Sequence, residues 1–259
     1  MSTQALPPMS APSAPSTAAF VVLVGTLSLL LVLAARHAYR GTRLGVKAPV
    51  LTALGLGAWL AVTGSLAQFG VLAALANTPK IGLYIVACNG LAVALALSPF
   101  GTRVIQHVPI ALLVGVQGFR LPLELILHSW YEQGALPVQM TYAGDNFDIV
   151  TGVFSLITGG LLALGVFRAS VERWVVLVTN LVGFGLLLMV ASIAVRSTPW
   201  PLRTYLNDPP VLLAFHAPFT WIVPICVAGA LLGHVLVFRW LAQSFWGSRS
   251  ARSTPASRT

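Results

Sequence analysis

The stretch that decides the fold is residues 106–131, QHVPIALLVGVQGFRLPLELILHSWY. It is apolar over a length sufficient to cross a bilayer, for which a helix needs about 20 residues. It nevertheless carries Gln117, Arg120, Glu124 and His128. Ionisable groups at membrane depth are costly unless they are paired or hydrated, so they indicate a functional site. The segment therefore predicts a membrane helix and a site on it.

The composition extends this interpretation to the whole chain, which is 57% hydrophobic and 8% charged. Such values are typical of an integral membrane protein. Seven apolar runs have spanning length, at about 18–35, 48–68, 81–97, 106–131, 147–167, 173–195 and 211–241. We therefore predict an all-α fold, with a seven-transmembrane-helix bundle over 18–245. A Pro/Ser/Ala-rich, disordered tail is expected at 1–17 and a basic cytoplasmic tail at 246–259.

The basic residues indicate an orientation, because cytoplasmic loops of membrane proteins carry the excess of Lys and Arg. Eleven of the 15 fall on one predicted side, at Arg36, Arg40, Arg43, Lys47, Arg103, Arg168, Arg173, Arg239, Arg249, Arg252 and Arg258. This predicts an outside N-terminus and a cytoplasmic C-terminus. The net charge of +9 is scattered over loops, which favours anionic lipid headgroups over nucleic acid as partners. Short loops and Leu/Ala-rich runs suggest a bacterial inner membrane.

The polar residues of the fourth run share one helical face. Arg120, Glu124 and His128 are spaced four apart, and Gln117 and Tyr131 broaden the same stripe. Pro122 cannot donate its amide to the Gly118 carbonyl, so we expect an interruption between them. A structural alternative makes Arg120 and Glu124 a pair that only holds the bundle together.

The loop after this helix is predicted to supply the opposite wall of the site. Asp145 or Asn146 is expected to cap the fifth helix, with Asp148 in its first turn. Met140 and, from the last run, His216 are predicted to lie nearby. The candidate ligand-binding residues are therefore Gln117, Arg120, Glu124, His128, Tyr131, Met140, Asp145, Asn146, Asp148 and His216.

Three cofactor hypotheses follow from the histidines and lysines. His128, His216 and Asp148 are candidate ligands for Zn or Cu, although no short-spaced ligand motif is present. Haem would need the pairs His128–His216 and His107–His234, which the spacing puts at the bilayer edges. A retinal Schiff base is excluded, because Lys47 and Lys80 both lie in connections.

Packing residues are predicted as well. Asn89 and Asn180 are expected to form hydrogen bonds between helices, and Gly159 and Gly160 to allow two helices to approach closely.

These features favour an outward-facing site that binds, senses or transports a small polar or anionic ligand at Arg120. One alternative is a metal-assisted enzyme acting on a lipid, with Glu124 or Asp148 as base. Another is a haem or copper redox protein, and a third is a bundle in which the stripe only fixes packing. The sequence carries no signal for an oligomeric state.

Overall fold

A computed structural model describes residues 10–201, 203–206 and 208–250, with side chains described as far as residue 245. Within these ranges the fold is all-helical and has no strand. The helices are α1 Ala14–Ala38, α2 Lys47–Gln68, α3 Val71–Leu75, α4 Ile81–Leu97, α5 Pro99–His107, α6 Ile110–Gly115, α7 Arg120–Glu132, α8 Asp148–Ala163, α9 Ala169–Ser197 and α10 Ala228–Ser250. The predicted tails fall largely outside the description, which omits 1–9 and 251–259 and the side chains of 246–250.

Several described helices are long and apolar enough to cross a membrane. Five qualify: α1, α2, the continuous segment Ile110–Glu132, α9 and the segment Phe219–Phe245. The pair α4 and α5, bent by 60° at its break, would make a sixth, whereas α8 is apolar but only 16 residues long. These helices fit an integral membrane protein.

The fourth predicted helix does not begin near Gln106. Helix α5 ends at His107, Val108 is extended, and α6 begins only at Ile110. The reason is Pro109, which disfavours helical backbone in the residue before it. The break expected near Pro122 is confirmed as a 3-10 turn over Val116–Phe119, which joins α6 to α7 without ending the helical segment.

Contacts between helix termini define two ends of the bundle. At one, which we call the Gln133 end, the backbone amide of Ser13 bonds the side chain of Gln133 at the end of α7. At the other, the Arg239 end, Arg239 of α10 donates to Thr102 of α5 over 2.7 Å. Arg103 also lies there, with its guanidinium 5.3 Å from the Tyr39 ring centroid. The first and last described helical residues therefore lie toward opposite ends.

Glycines bring α8 directly against the segment α6–α7. A methyl group on Gly159 would come within 2.7 Å of the Gly115 Cα, and one on Gly152 within 2.9 Å of the Leu121 Cα. The predicted close approach at Gly159 is thus confirmed, whereas Gly160 has open space around it. This packing carries Asp148, the first residue of α8, to the start of α7.

An aromatic cluster closes the Gln133 end. The Trp130 ring contacts Phe20 of α1 edge-on at 5.3 Å and Phe219 at 5.1 Å between centroids. Phe219 begins a 3-10 turn that continues through a π-helical turn, Val223–Val227, into α10. The interruption leaves space beside α7, and that space is the candidate site.

Candidate functional site

Arg120 and Asp148 form a buried ion pair at the junction of α7 and α8. The Arg120 side chain is 1% exposed and that of Asp148 is 5% exposed. Arg120 Nη1 donates to Asp148 Oδ1 and also to the Gly183 carbonyl of α9 at 3.3 Å. Its other terminal nitrogen, Nη2, lies 3.2 Å from His234 Nε2 of α10. Four helices therefore meet at one guanidinium.

Hydrogen bonds determine the tautomer of His234. Asn180 Nδ2 donates to the backbone carbonyl of His234 at 3.3 Å, so its Oδ1 faces His234 Nδ1 at 2.8 Å. Nδ1 therefore carries the proton, and Nε2 accepts from Arg120, which can only donate. His234 is thus a neutral imidazole that holds the guanidinium in place. The predicted interhelical role of Asn180 is confirmed, whereas Asn89 donates within its own helix, to Ile85.

Glu124 lies one turn beyond Arg120 and makes a different set of contacts. Its Oε2 accepts from Asn146 Nδ2 at 2.7 Å, and the same amide nitrogen donates to the Met140 carbonyl at 3.1 Å. Asn146 Oδ1 in turn accepts from the backbone amide of Asp148 at 3.0 Å. The N-cap residue of α8 is Phe147, which makes no side-chain cap bond, and Asn146 before it satisfies the first amide of the helix instead. The same side chain ties Glu124 to the loop.

An apolar cavity of about 110 Å³ lies beside these groups. Its walls come from α7, α9, the loop after α7, the first residue of α8, and α10 with the turns that precede it. Arg120, Glu124 and Asp148 are the charged residues among those that line it. Most of the other lining residues are aliphatic or aromatic, including Leu123, Leu187, Val190, Phe219 and Ile222. The arrangement is a small apolar chamber with charge at one wall.

The structure brings together part of the predicted site. Arg120, Glu124, Asn146 and Asp148 form the buried polar cluster, and Met140 lines the cavity. Gln117 is buried one turn before Arg120 and donates to the Ala230 carbonyl at 3.0 Å. Its Oε1 is buried without a described hydrogen-bond partner. The alternative of an ion pair between Arg120 and Glu124 does not form. Arg120 pairs with Asp148 instead, and Glu124 accepts from Asn146.

The remaining predicted residues lie elsewhere. The His128 ring stacks on Tyr142 at 4.4 Å, and its Nε2 is 3.7 Å from the exposed carboxylate of Glu132. Tyr131 and Asp145 are exposed. His216 is partly buried and does not line the cavity.

The candidate metal and haem residues are not assembled in the described structure. Among the described residues, no three His, Cys, Asp or Glu side chains are grouped so as to hold a metal ion. Both ring nitrogens of His234 are engaged by Asn180 and Arg120, and His107 Nδ1 bonds the Arg103 carbonyl of its own helix. The pairing of His107 with His234 that a haem would need is therefore absent from this arrangement.

Sequence reasoning missed His234 and Gly183. The apolar run was expected to begin at residue 211, which put His234 near one edge of the bilayer. The spanning segment instead begins at Phe219, because the proline-rich residues before it form loop and 3-10 turns. His234 then falls near the middle of the candidate spanning segment Phe219–Phe245, as Arg120 does in Ile110–Glu132. The prolines at 209, 210, 218 and 224 predict that the first turns of this run lie at the interface or kink, and the 3-10 and π-helical turns confirm the interruption.

Comparison of the chain with protein-family models, with curated proteins and with solved structures finds no match. Chemically, the cluster offers a neutralised guanidinium, a neutral imidazole and a carboxylate that faces the cavity.

Proposed function

We propose that this protein binds a small molecule in the cavity beside Glu124, as a sensor or a carrier in the membrane. The observation that carries the proposal is a charged wall on an otherwise apolar chamber, with Arg120 near the middle of the candidate spanning segment Ile110–Glu132. Membrane proteins tolerate charge at that depth mainly where it faces a cavity or a pathway. A chamber that served packing alone would not need Glu124.

The topology that goes with this function has seven crossings. The count comprises the five long segments, the bent pair α4 and α5 as a sixth, and α8 as the seventh. Its polar residues Asp148, Thr151 and Ser155 are buried, and its opposite face, with Val150 and Ile157, is exposed and apolar. Such a division suits a helix with one face against the bundle and the other against lipid.

The proposed orientation follows the basic residues. Arg103, Arg173 and Arg239 contact groups at the Arg239 end, which we assign to the cytoplasm of a bacterial inner membrane. The N-terminus and the cavity then lie toward the outside. Anionic headgroups would contact the Arg239 end.

The ligand is proposed to contact Glu124 rather than Arg120, which modifies the sequence hypothesis of an anion at Arg120. The guanidinium already donates to Asp148, Gly183 and His234. An anion bound at Arg120 would compete with Asp148 for the single charge of the guanidinium, and breaking such a buried pair costs about 3–5 kcal/mol. Glu124 Oε1, in contrast, receives no hydrogen bond from the described residues and lies on a residue that lines the cavity.

Two adjacent residues of α9 allow a matched test of the cavity. Ala191 lines it, whereas Ser192 is exposed on the same helix. We expect a small amphiphile such as 1-butanol or n-butylamine to raise the melting temperature of the parent protein in nanodiscs saturably. Ala191→Phe should abolish that rise, and Ser192→Phe should retain it. If no probe stabilises the parent, or if Ala191→Phe responds like Ser192→Phe, the proposed function is wrong.

A further inference from the structure

We infer that the ligand is a small organic cation, a protonated amine with a short apolar body. This inference rests on the proposed function and names the chemical class that the same cavity selects. It follows from the charges on the cavity wall, the hydrogen bonds that each group has already made, and the size of the chamber.

The charges that line the cavity do not balance. Two carboxylates, Glu124 and Asp148, face one guanidinium, Arg120. His234 adds no charge, because its Nε2 accepts from Arg120 and its Nδ1 donates to Asn180. The residues that α9 and the turns before α10 contribute to the lining are all uncharged. With all three groups ionised, the described lining would carry one negative charge, so Glu124 needs a proton or a bound cation to balance it.

Among the described lining residues, the carboxyl group without a cationic partner is that of Glu124. Asp148 is bonded directly to Arg120, whereas Glu124 has as its described partner the neutral amide of Asn146. Glu124 is 1% exposed, so water around the protein does not screen it. A carboxylate in such surroundings is strongly destabilised unless a cation or a proton neutralises it. A bound ammonium group would supply the charge and donate to Oε1.

Other head groups fit this wall less well. A carboxylate or phosphate would approach two acidic side chains, and the one cation nearby is already neutralised. A neutral alcohol can donate to Oε1 but leaves the charge of Glu124 uncompensated. The wall therefore ranks an ammonium above a hydroxyl and a hydroxyl above a carboxylate.

The size of the chamber limits the apolar part. A cavity of about 150 Å³ lined by aliphatic and aromatic side chains holds benzene. The present cavity, at about 110 Å³, is somewhat smaller. It suits an amine with a chain of about four carbons, lying against Leu123, Leu187 and Ile222.

The test compares three probes that share one chain and differ in the head group: n-butylamine, 1-butanol and butyrate. Binding is measured by thermal shift and by calorimetry on the purified full-length protein in nanodiscs at neutral pH. We expect the apparent affinity to fall in the order amine, alcohol, carboxylate. Glu124→Gln should weaken the amine at least tenfold and change the alcohol by less than threefold, because the amide keeps the size and loses the charge. Ala191→Phe should abolish all binding.

The outcomes separate this inference from the proposed function. If the alcohol or butyrate binds as tightly as the amine, or Glu124→Gln binds the amine as the parent does, the cation class is wrong and the cavity remains a binding site. If none of the three probes binds the parent, the proposed function fails and the inference fails with it. The order of the three probes on the parent protein decides the matter even if Glu124→Gln does not fold.

Discussion

Arg120 of α7 donates to the carboxylate of Asp148, 28 residues later at the start of α8, and both side chains are almost fully buried. Arg120 lies near the middle of the candidate spanning segment Ile110–Glu132, and Asp148 is the first residue of α8. The pair joins α7 to α8, which the glycines bring into contact. It thereby fixes the position of the cavity wall that Arg120, Glu124 and Asp148 form.

Removing one member of this pair should be far more damaging than removing both. We expect Arg120→Leu to lower the free energy of unfolding by about 3–5 kcal/mol, because Asp148 is left as a buried unpaired charge. The double variant Arg120→Leu/Asp148→Leu should recover most of that loss. Thermal unfolding in nanodiscs measures both. Arg40→Leu, at an exposed arginine, is the control and should change little. A double variant no more stable than Arg120→Leu would contradict the pairing.

Two adjacent glycines should respond in opposite directions to the same substitution. Gly159→Ala should destabilise by about 1–3 kcal/mol, because the new methyl group would meet the backbone of α6. Gly160→Ala has open space and should be neutral or stabilising by up to about 1 kcal/mol, since alanine favours helix. Melting temperatures of the two variants in the same nanodiscs test this. Equal effects would show that α8 does not contact α6 at Gly159.

Asn146 should matter much more than its neighbour Asp145. Asn146→Ala removes bonds to Glu124, to the Met140 carbonyl and from the Asp148 amide, and we expect a loss of about 2–3 kcal/mol. Asp145→Ala changes an exposed side chain and should stay within about 0.5 kcal/mol. Chemical or thermal unfolding compares the pair. The role assigned to Asn146 is wrong if both variants unfold together.

The tautomer of His234 is a spectroscopic prediction. Nitrogen-15 NMR of histidine-labelled protein should show a neutral ring protonated on Nδ1, because Asn180 accepts there and Arg120 donates to Nε2. His37, exposed near the end of α1, provides a reference in the same sample. Asn180→Leu should broaden or shift the His234 signals and leave those of His37 unchanged. An Nε2-protonated ring or an imidazolium at position 234 would refute the arrangement.

Much of the fold could be predicted because membrane helices are encoded locally. The bounds of α4 coincide with those of the third predicted apolar run. The 3-10 turn Val116–Phe119 lies just before Pro122, where an interruption was predicted because proline lacks an amide hydrogen. Bounds were wrong where prolines lie near helix ends. Val108 and Pro109 separate α5 from α6, and the segment before Phe219 is not part of a spanning helix. A hydropathy window averages apolar character across such breaks, whereas a proline interrupts the helix at a particular residue.

Several residues of the candidate site could be predicted from the sequence, but the way in which they pair could not. Arg120 and Glu124 stand out as charges in an apolar run, and Asp148 and Asn146 as polar residues at a helix start. Which of these side chains pair depends on how closely α8 packs against α6 and α7. That distance is set by Gly115 of α6 and by Gly152 and Gly159 of α8. His128 carries the same helical spacing as Glu124, yet it contacts Tyr142 of the loop.

By itself, the sequence determined the class of the protein, the approximate positions of its helices and the helix that carries buried charge, because burial of apolar side chains and backbone hydrogen bonding act over short stretches. Only the tertiary structure decided that Asp148 and His234 hold Arg120, and that Glu124 is left facing a cavity. Those outcomes depend on the contact distances between helices, which no single stretch of the chain contains.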